Sequence, residues 1–135
     1  MLAVYEEGMW RITEAVTSVV ERTPDPWPRL EAACAAHMCA LLEGGDIFLA
    51  LMRETPPEWH HANKRVVKLR DAYESIFVKL LAELSLPKRI DRRMLRLTLL
   101  GAMNWSHHWY RAGRQTPTML ARHFVRFLRT SLEDE

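Results

Sequence analysis

The side chains best suited to chemistry gather near the end of the chain, in "GAMNWSHHWYRAG", residues 101–113, where two tryptophans, a tyrosine, an asparagine and a histidine pair interrupt an otherwise aliphatic and charged sequence. A metal site is the first chemistry to test. Neighbouring residues on a helix diverge by about 100°, so His107 and His108 are not expected to clamp one ion together, and His60 and His61 share that defect. No HExxH or CxxC pattern occurs, nor any Asp/Glu/His spacing of three or four that forms a recognisable metal site, and no metal is expected. Nucleophilic catalysis is equally unsupported. There is no glycine-flanked serine, and Cys34 and Cys39 sit among alanines with no basic neighbour to stabilise a thiolate. "EGGD", residues 43–46, lacks the strand and the lysine of a phosphate cradle. The expectation is a protein without cofactor and without enzymatic activity.

Two further clusters allow binding. Lys88, Arg89, Arg92, Arg93 and Arg96 read as a solvated helix entry, with attraction of an anionic head group, such as the phosphates of a coenzyme A thioester, as the functional alternative. Trp105 and Trp109 stand one helical turn apart and would share a face, a large apolar surface for packing. Met103, Asn104 and His107 are the members of the motif best placed to face a ligand.

These residues must be positioned by a small fold. A chain of 135 residues, 48% hydrophobic and 27% charged, is expected to form a single domain spanning residues 1–135 around one core. Its net charge of +2, read as 19 basic and 17 acidic residues spread along the chain, leaves no strong footprint for nucleic acid. Cys34 and Cys39, five apart on a helix, point in different directions and do not bridge, which fits a reducing cytoplasm. "MLAVYEEGMW" places glutamates where a signal peptide needs positive charge, and "ACAAHMCALL" is too short to span a bilayer.

Periodicity predicts six helices and no sheet. Leu2, Tyr5, Met9, Ile12, Val16 and Val19 form one face of a first helix that begins without a capping residue. After "RTPDPWPRL", a second helix starts near Pro28 and runs to about Leu42, where "EGG" stops it. Its many small residues imply either closely approaching neighbours or the low wall of a cavity. Asp46 would cap a short third helix, "IFLALMRE", that ends before Pro56. A long fourth helix from Pro57 to about Leu84 buries Val66, Leu69, Tyr73, Ile76, Phe77, Leu80 and Leu84. Asp91 caps a fifth helix reaching about Tyr110, and Thr116 with Pro117 opens the last, ending near Leu132.

The last two helices are apolar over more of their circumference than one small domain can cover. From Leu97 through Trp105 almost no charged side remains, and on the last helix Leu120, Phe124 and Phe127 form one stripe beside Ala121, Val125 and Leu128. A second copy of the chain is the expected cover. The two helices and their symmetry mates would form a dimeric four-helix bundle, with Gly101 permitting a close crossing. The expected interface consists of Leu97, Gly101, Trp105, His108, Leu120, Phe124 and Phe127.

"LLGAMNWSHHWYRAGRQTPTMLARHFVRFL", residues 99–128, resembles the C-terminal region of TetR/AcrR-family transcriptional regulators. There, an aliphatic run, a glycine, Asn-Trp, a second Trp-Tyr-Arg and a glycine-containing loop precede the last helix. "DPWPRLEAACAAHMCALL" and "RDAYESIFVKLLAEL" are similar to that family's core. The resemblance implies an all-α ligand-binding and dimerisation domain, in a repressor whose helix-turn-helix DNA-binding unit is missing from this sequence. DNA would then be contacted only through that N-terminal unit. The effector implied is apolar or acyl-type; the sizes of the side chains, small on the second helix and large or adaptable opposite it, separately predict a largely apolar pocket between the second, third, fourth and fifth helices, drawn from His37, Phe48, Met52, Tyr73, Phe77, Met103, Asn104 and His107. The alternative is a free-standing helical dimer that binds an apolar metabolite or a partner regulator and has no role at DNA.

Overall fold

The computed structural model describes residues 2–48 and 64–133, and every regular element among them is helical. In chain order these are α1 (Leu2–Arg22), α2 (Pro26–Glu43), α3 (Lys64–Ala82), α4 (Arg92–Trp105), a single 3-10 turn over Ser106–His108, and α5 (Pro117–Glu133). The expected short third helix lies outside the described residues beyond Phe48, as does the start expected for the long helix at Pro57.

Helix α2 is the centre of the domain and packs most extensively against α5 and α1. Its small side chains act through close approach: Ala33 and Cys34 are fully buried, and Leu30, Met38 and Leu41 fill the spaces beside them. The stripe of α1 meets this surface with Tyr5, Met9, Ile12 and Val16, and α3 with Val66, Tyr73, Phe77, Leu80 and Leu81. Phe77 is completely enclosed, so truncating it to alanine would cost about 3–5 kcal/mol. The 3.6-residue pattern alone was sufficient to identify these faces.

Helix ends follow local chemistry. Asp91 accepts hydrogen bonds from the amides of Arg93 and Met94, and the Thr116 hydroxyl accepts from Met119, so both expected N-caps form. Helix α2 starts at Pro26, two residues before the expected Pro28, because Asp25 is already extended and proline is tolerated in a first turn. At its other end Gly45 adopts a positive φ of 88°, and a Cβ on Gly44 would lie 2.2 Å from the Phe48 ring. The glycine pair therefore lets Phe48 fold back onto the core.

The fifth expected helix is shorter than its pattern implies. It leaves the α conformation after Trp105, where the buried Ser106 hydroxyl donates to the Met103 carbonyl at 2.6 Å. The amides of Trp109 and Tyr110 both donate to the Ser106 carbonyl, which tightens the chain into a 3-10 turn. Trp105 and Trp109 therefore do not lie on one α-helical face. Trp105 lies against His108, with ring centres 3.9 Å apart, while Trp109 turns its edge to Phe124 of α5. The same turn overrides the expected divergence of the histidine pair, since the His107 and His108 ring centres are 4.0 Å apart.

Arg92 belongs to the basic cluster but performs a structural task. Its guanidinium donates to the carbonyl of Leu81, in the last turn of α3, and to that of Leu84 just beyond it, and so ties the start of α4 to that end. Ion pairs Arg65–Glu6 (3.4 Å), Arg29–Glu83 (3.6 Å) and Arg122–Glu31 (3.1 Å) join other helices, but all are partly exposed and each contributes at most about 1 kcal/mol. Replacing Arg92 with alanine should therefore lower stability by about 2 kcal/mol, because two carbonyls lose a charged donor. Arg93→Ala, at an exposed position beside it, should change stability by less than about 0.5 kcal/mol. Urea denaturation of the two variants measures the difference.

Candidate functional site

Among the described residues, a chain of polar side chains in the core crosses three helices. His37 of α2 is buried between Tyr73 of α3 and Asn104 of α4: its Nδ1 lies 2.5 Å from the Tyr73 hydroxyl and its Nε2 2.7 Å from Asn104 Oδ1. The amide oxygen of Asn104 can only accept, so Nε2 carries the proton and donates to it. Nδ1 is then bare and accepts from the Tyr73 hydroxyl. Both ring nitrogens are satisfied by protein groups.

Aromatic packing closes the cluster. The Tyr73 ring stacks on His37 with 5.7 Å between centres, and Phe77 meets both rings edge-on at 5.7 and 5.9 Å. Met103 is fully buried, and Phe48 lies in the same core. The sequence-derived set is thus brought together at His37, Tyr73, Phe77 and Asn104, with Met103 and Phe48 in the surrounding apolar core. His107 joins indirectly, its Nδ1 lying 2.6 Å from the Asn104 carbonyl oxygen. Met52 lies outside the described residues.

Burial keeps this cluster neutral. Desolvation disfavours the imidazolium and lowers the His37 pKa from 6.5 to about 4, against a smaller opposing effect of the Asn104 hydrogen bond. Desolvation also raises Tyr73 well above its ordinary value and pushes the Cys34 thiol up, so neither ionises near neutrality. The Cys34 thiol is therefore no nucleophile at neutral pH. The cluster exchanges hydrogen bonds inside an apolar shell. Among the described residues, no group of three or more His, Cys, Asp or Glu side chains could hold a metal ion.

A second feature lies on the surface of α4 and α5. Met94, Leu97, Gly101 and Trp105 recur along α4 at spacings of three and four, and Trp105 is 62% exposed. On α5 Met119 and Phe127 are exposed, Phe127 to 69%, with His123 stacked on it. Beside Gly101 there is open space, since a Cβ built there would meet no atom within 4 Å. His108 is exposed and Phe124 half-buried. Leu120 departs from its expected place on this face. It is 6% exposed and packs into the chain's own core, because α5 turns its Leu120, Ala121 and Val125 side inward.

Fold and site together define an all-helical domain with a neutral polar chain in its core and one helix pair left uncovered on one side. Residues 23–132 match the family model described as "Tetracyclin repressor-like, C-terminal domain". The chain belongs to this family, and the match spans everything described after α1 except Glu133. No curated protein matches the sequence significantly. Among the described residues, no helix is long and apolar enough to cross a membrane.

The state of His37 has a measurable consequence. Its folded pKa lies below its unfolded value, so the unfolded chain binds the extra proton first as pH falls. The associated stability is fully present above pH 6.5 and is lost as pH drops toward about 4, where the native ring takes up the proton. The full loss is about 3 kcal/mol. His37→Gln should remove this part of the pH dependence while retaining a hydrogen-bonding side chain. Urea denaturation of both proteins across that window gives the comparison, and identical slopes would show that His37 is not buried in its neutral form.

Proposed function

We propose that this chain is the effector-binding and dimerisation domain of a TetR-like transcriptional regulator that works in the cytoplasm as a repressor. The observation that carries the reading is the uncovered apolar face of α4 and α5. Fully burying a side chain the size of Met94, Leu97 or Phe127 contributes about 1.5–3 kcal/mol, and a second copy related by a two-fold axis would cover several at once. Leu97, Gly101, Trp105, His108, Phe124 and Phe127 meet the partner in this reading, with Leu120 supporting them from beneath.

The effector is an apolar or acyl-type molecule bound around His37, Phe48, Tyr73, Phe77, Met103 and Asn104, with Met52 and His107 completing the set. A guest with one hydrogen-bonding group could replace Tyr73 or Asn104 at His37. It would thereby favour an arrangement in which α2 is released from α3 or α4. Helix α1 packs on both α2 and α3, so it is the element able to convey that change to a DNA-binding unit. This chain alone is expected to show no sequence-specific binding to a duplex, since no recognition helix is legible in it.

A second reading is favoured by one observation: the His37 chain is already satisfied by protein groups and requires no guest. On that reading the protein is a helical dimer that pairs with another regulator or holds an apolar metabolite without a role at DNA.

Light scattering at micromolar concentration should report a dimer. Gly101→Leu has room within one chain, so it should retain helicity and stability of the protomer while shifting the protein to monomer, as should Phe127→Glu. A wild-type monomer would overturn the interface. Thermal-shift screening with fatty acids, acyl thioesters, steroids and aromatic acids tests the effector site. A saturating ligand should raise Tm by about 5 °C, and Tyr73→Phe should change the selectivity among polar head groups. A dimer that no such compound stabilises would favour the second reading.

A further inference from the structure

The charge of this chain is segregated along its last two helices. Residues 92–132 contain eight arginines and no lysine, aspartate or glutamate, and the next three residues, Glu133, Asp134 and Glu135, are all acidic. The even spread read from the totals does not hold. Arg92 is occupied at the end of α3, Arg122 is held by Glu31, and Arg129 lies over Trp27. Arg111 and Arg114 differ: both are exposed, and neither has a hydrogen bond or ion pair among the described residues.

These two arginines line a cleft of about 420 Å³ in the connection between α4 and α5, with Trp109, Tyr110, Gln115 and Leu120. Gly113, at a positive φ of 96°, turns the chain between them. The cleft borders the uncovered apolar face, because Leu120 belongs to the same stripe of α5 as Phe124 and Phe127, and Trp109 meets Phe124 edge-on. Helix α5 is therefore basic where it begins and acidic where it ends. Spanning Pro117–Glu133, it is about 24 Å long, so the acidic end of a chain cannot reach its own cleft.

A second copy can supply that end. Two α5 helices meeting parallel across a two-fold axis would set arginine beside arginine and acid beside acid. Meeting antiparallel, they set each acidic end beside the partner's arginines, and their macrodipoles oppose. Met119 and Phe127 are the exposed large apolar residues of α5, and an axis midway between them passes near His123. Position 133 then falls opposite position 113 of the second copy, and position 135 opposite position 111. At the shallow crossing of about 20° found in four-helix bundles, these ends are displaced sideways by about 5 Å, within the reach of an arginine.

We propose that the acidic segment 133–135 of one copy docks on Arg111 and Arg114 of a second copy, closing each end of an antiparallel α5 pair. The assignment rests on the association through α4 and α5 proposed above, and adds to it the direction of pairing and a polar clamp. Apolar contact alone leaves two helices free to slide, whereas opposite charges at both ends fix register and orientation.

Disulfide trapping in the full chain tests this, in a Cys39→Ser background, since the other thiol, Cys34, is buried. Mild oxidation of a mixture of Arg111→Cys and Glu135→Cys chains should give a covalent dimer. Either variant alone should give none, because like positions lie about 36 Å apart across the axis. Cross-linking of either variant with itself and not of the mixture would show parallel pairing and overturn the proposal. A wild-type dimer by light scattering that yields no mixed cross-link would also overturn it, leaving the cleft to another occupant and the apolar interface intact. A wild-type monomer would overturn both. Arg111→Glu with Arg114→Glu should raise the dimer dissociation constant about tenfold at about 0.05 M salt, as should Asp134→Arg with Glu135→Arg, and the two sets combined should restore it. Combined losses that simply multiply would show that these charges do not meet, and would overturn the pairing.

Discussion

A histidine without water needs two partners, and that requirement organises the middle of this domain. Leaving a buried polar group unpaired costs about 1–3 kcal/mol, so α3 and α4 must present Tyr73 and Asn104 to opposite edges of His37 at the same time. Apolar packing alone tolerates a helix sliding or rotating slightly, whereas two hydrogen bonds to one ring do not. The neutral imidazole therefore specifies the register of α3 and α4 against α2. The small residues of α2 make this geometry accessible by letting neighbouring helices come close to its backbone.

Two features at the helix ends preserve that arrangement. Arg92 ties the start of α4 to carbonyls at and just beyond the end of α3, which fixes where α4 begins relative to Tyr73. Ser106 tightens the chain immediately after Asn104, so the aromatic cluster that follows turns away from the α4 axis. Trp109 consequently meets Phe124, and Trp105 remains exposed near the end of a largely apolar stripe. The interior chain and the surface face thus share one helix. A shift of α4 relative to α2 would alter both, which is the physical link by which a core-binding effector could change how two protomers meet.

The hairpin of α4 and α5 presents different chemistry on different flanks. One exposes Met94, Leu97, Trp105 and Phe127, while the flank of α5 facing α2 carries Arg122, Arg126 and Arg129. No acid lies between residues 92 and 132, and Arg122 finds its partner, Glu31, on α2.

Much of the fold was legible in the amino-acid sequence because its signals are local. The spacing of Tyr5, Met9, Ile12 and Val16, of Val66, Tyr73, Phe77 and Leu80, and the caps at Asp91 and Thr116 depend on residues within one or two turns, and each lies in the structure where periodicity and capping place it. The candidate residues His37, Tyr73 and Asn104 were also visible, as polar groups among apolar neighbours. What joins them was not, since hydrogen bonds across 36 and 67 residues depend on how helices cross, and helical periodicity does not encode crossing. Tertiary structure likewise decided that Leu120 faces inward, that Arg92 caps a neighbouring helix and that α4 ends at Trp105. In each case a group's partner is distant in sequence, or a side-chain hydrogen bond competes with the helix, and only the packed chain brings those alternatives into competition.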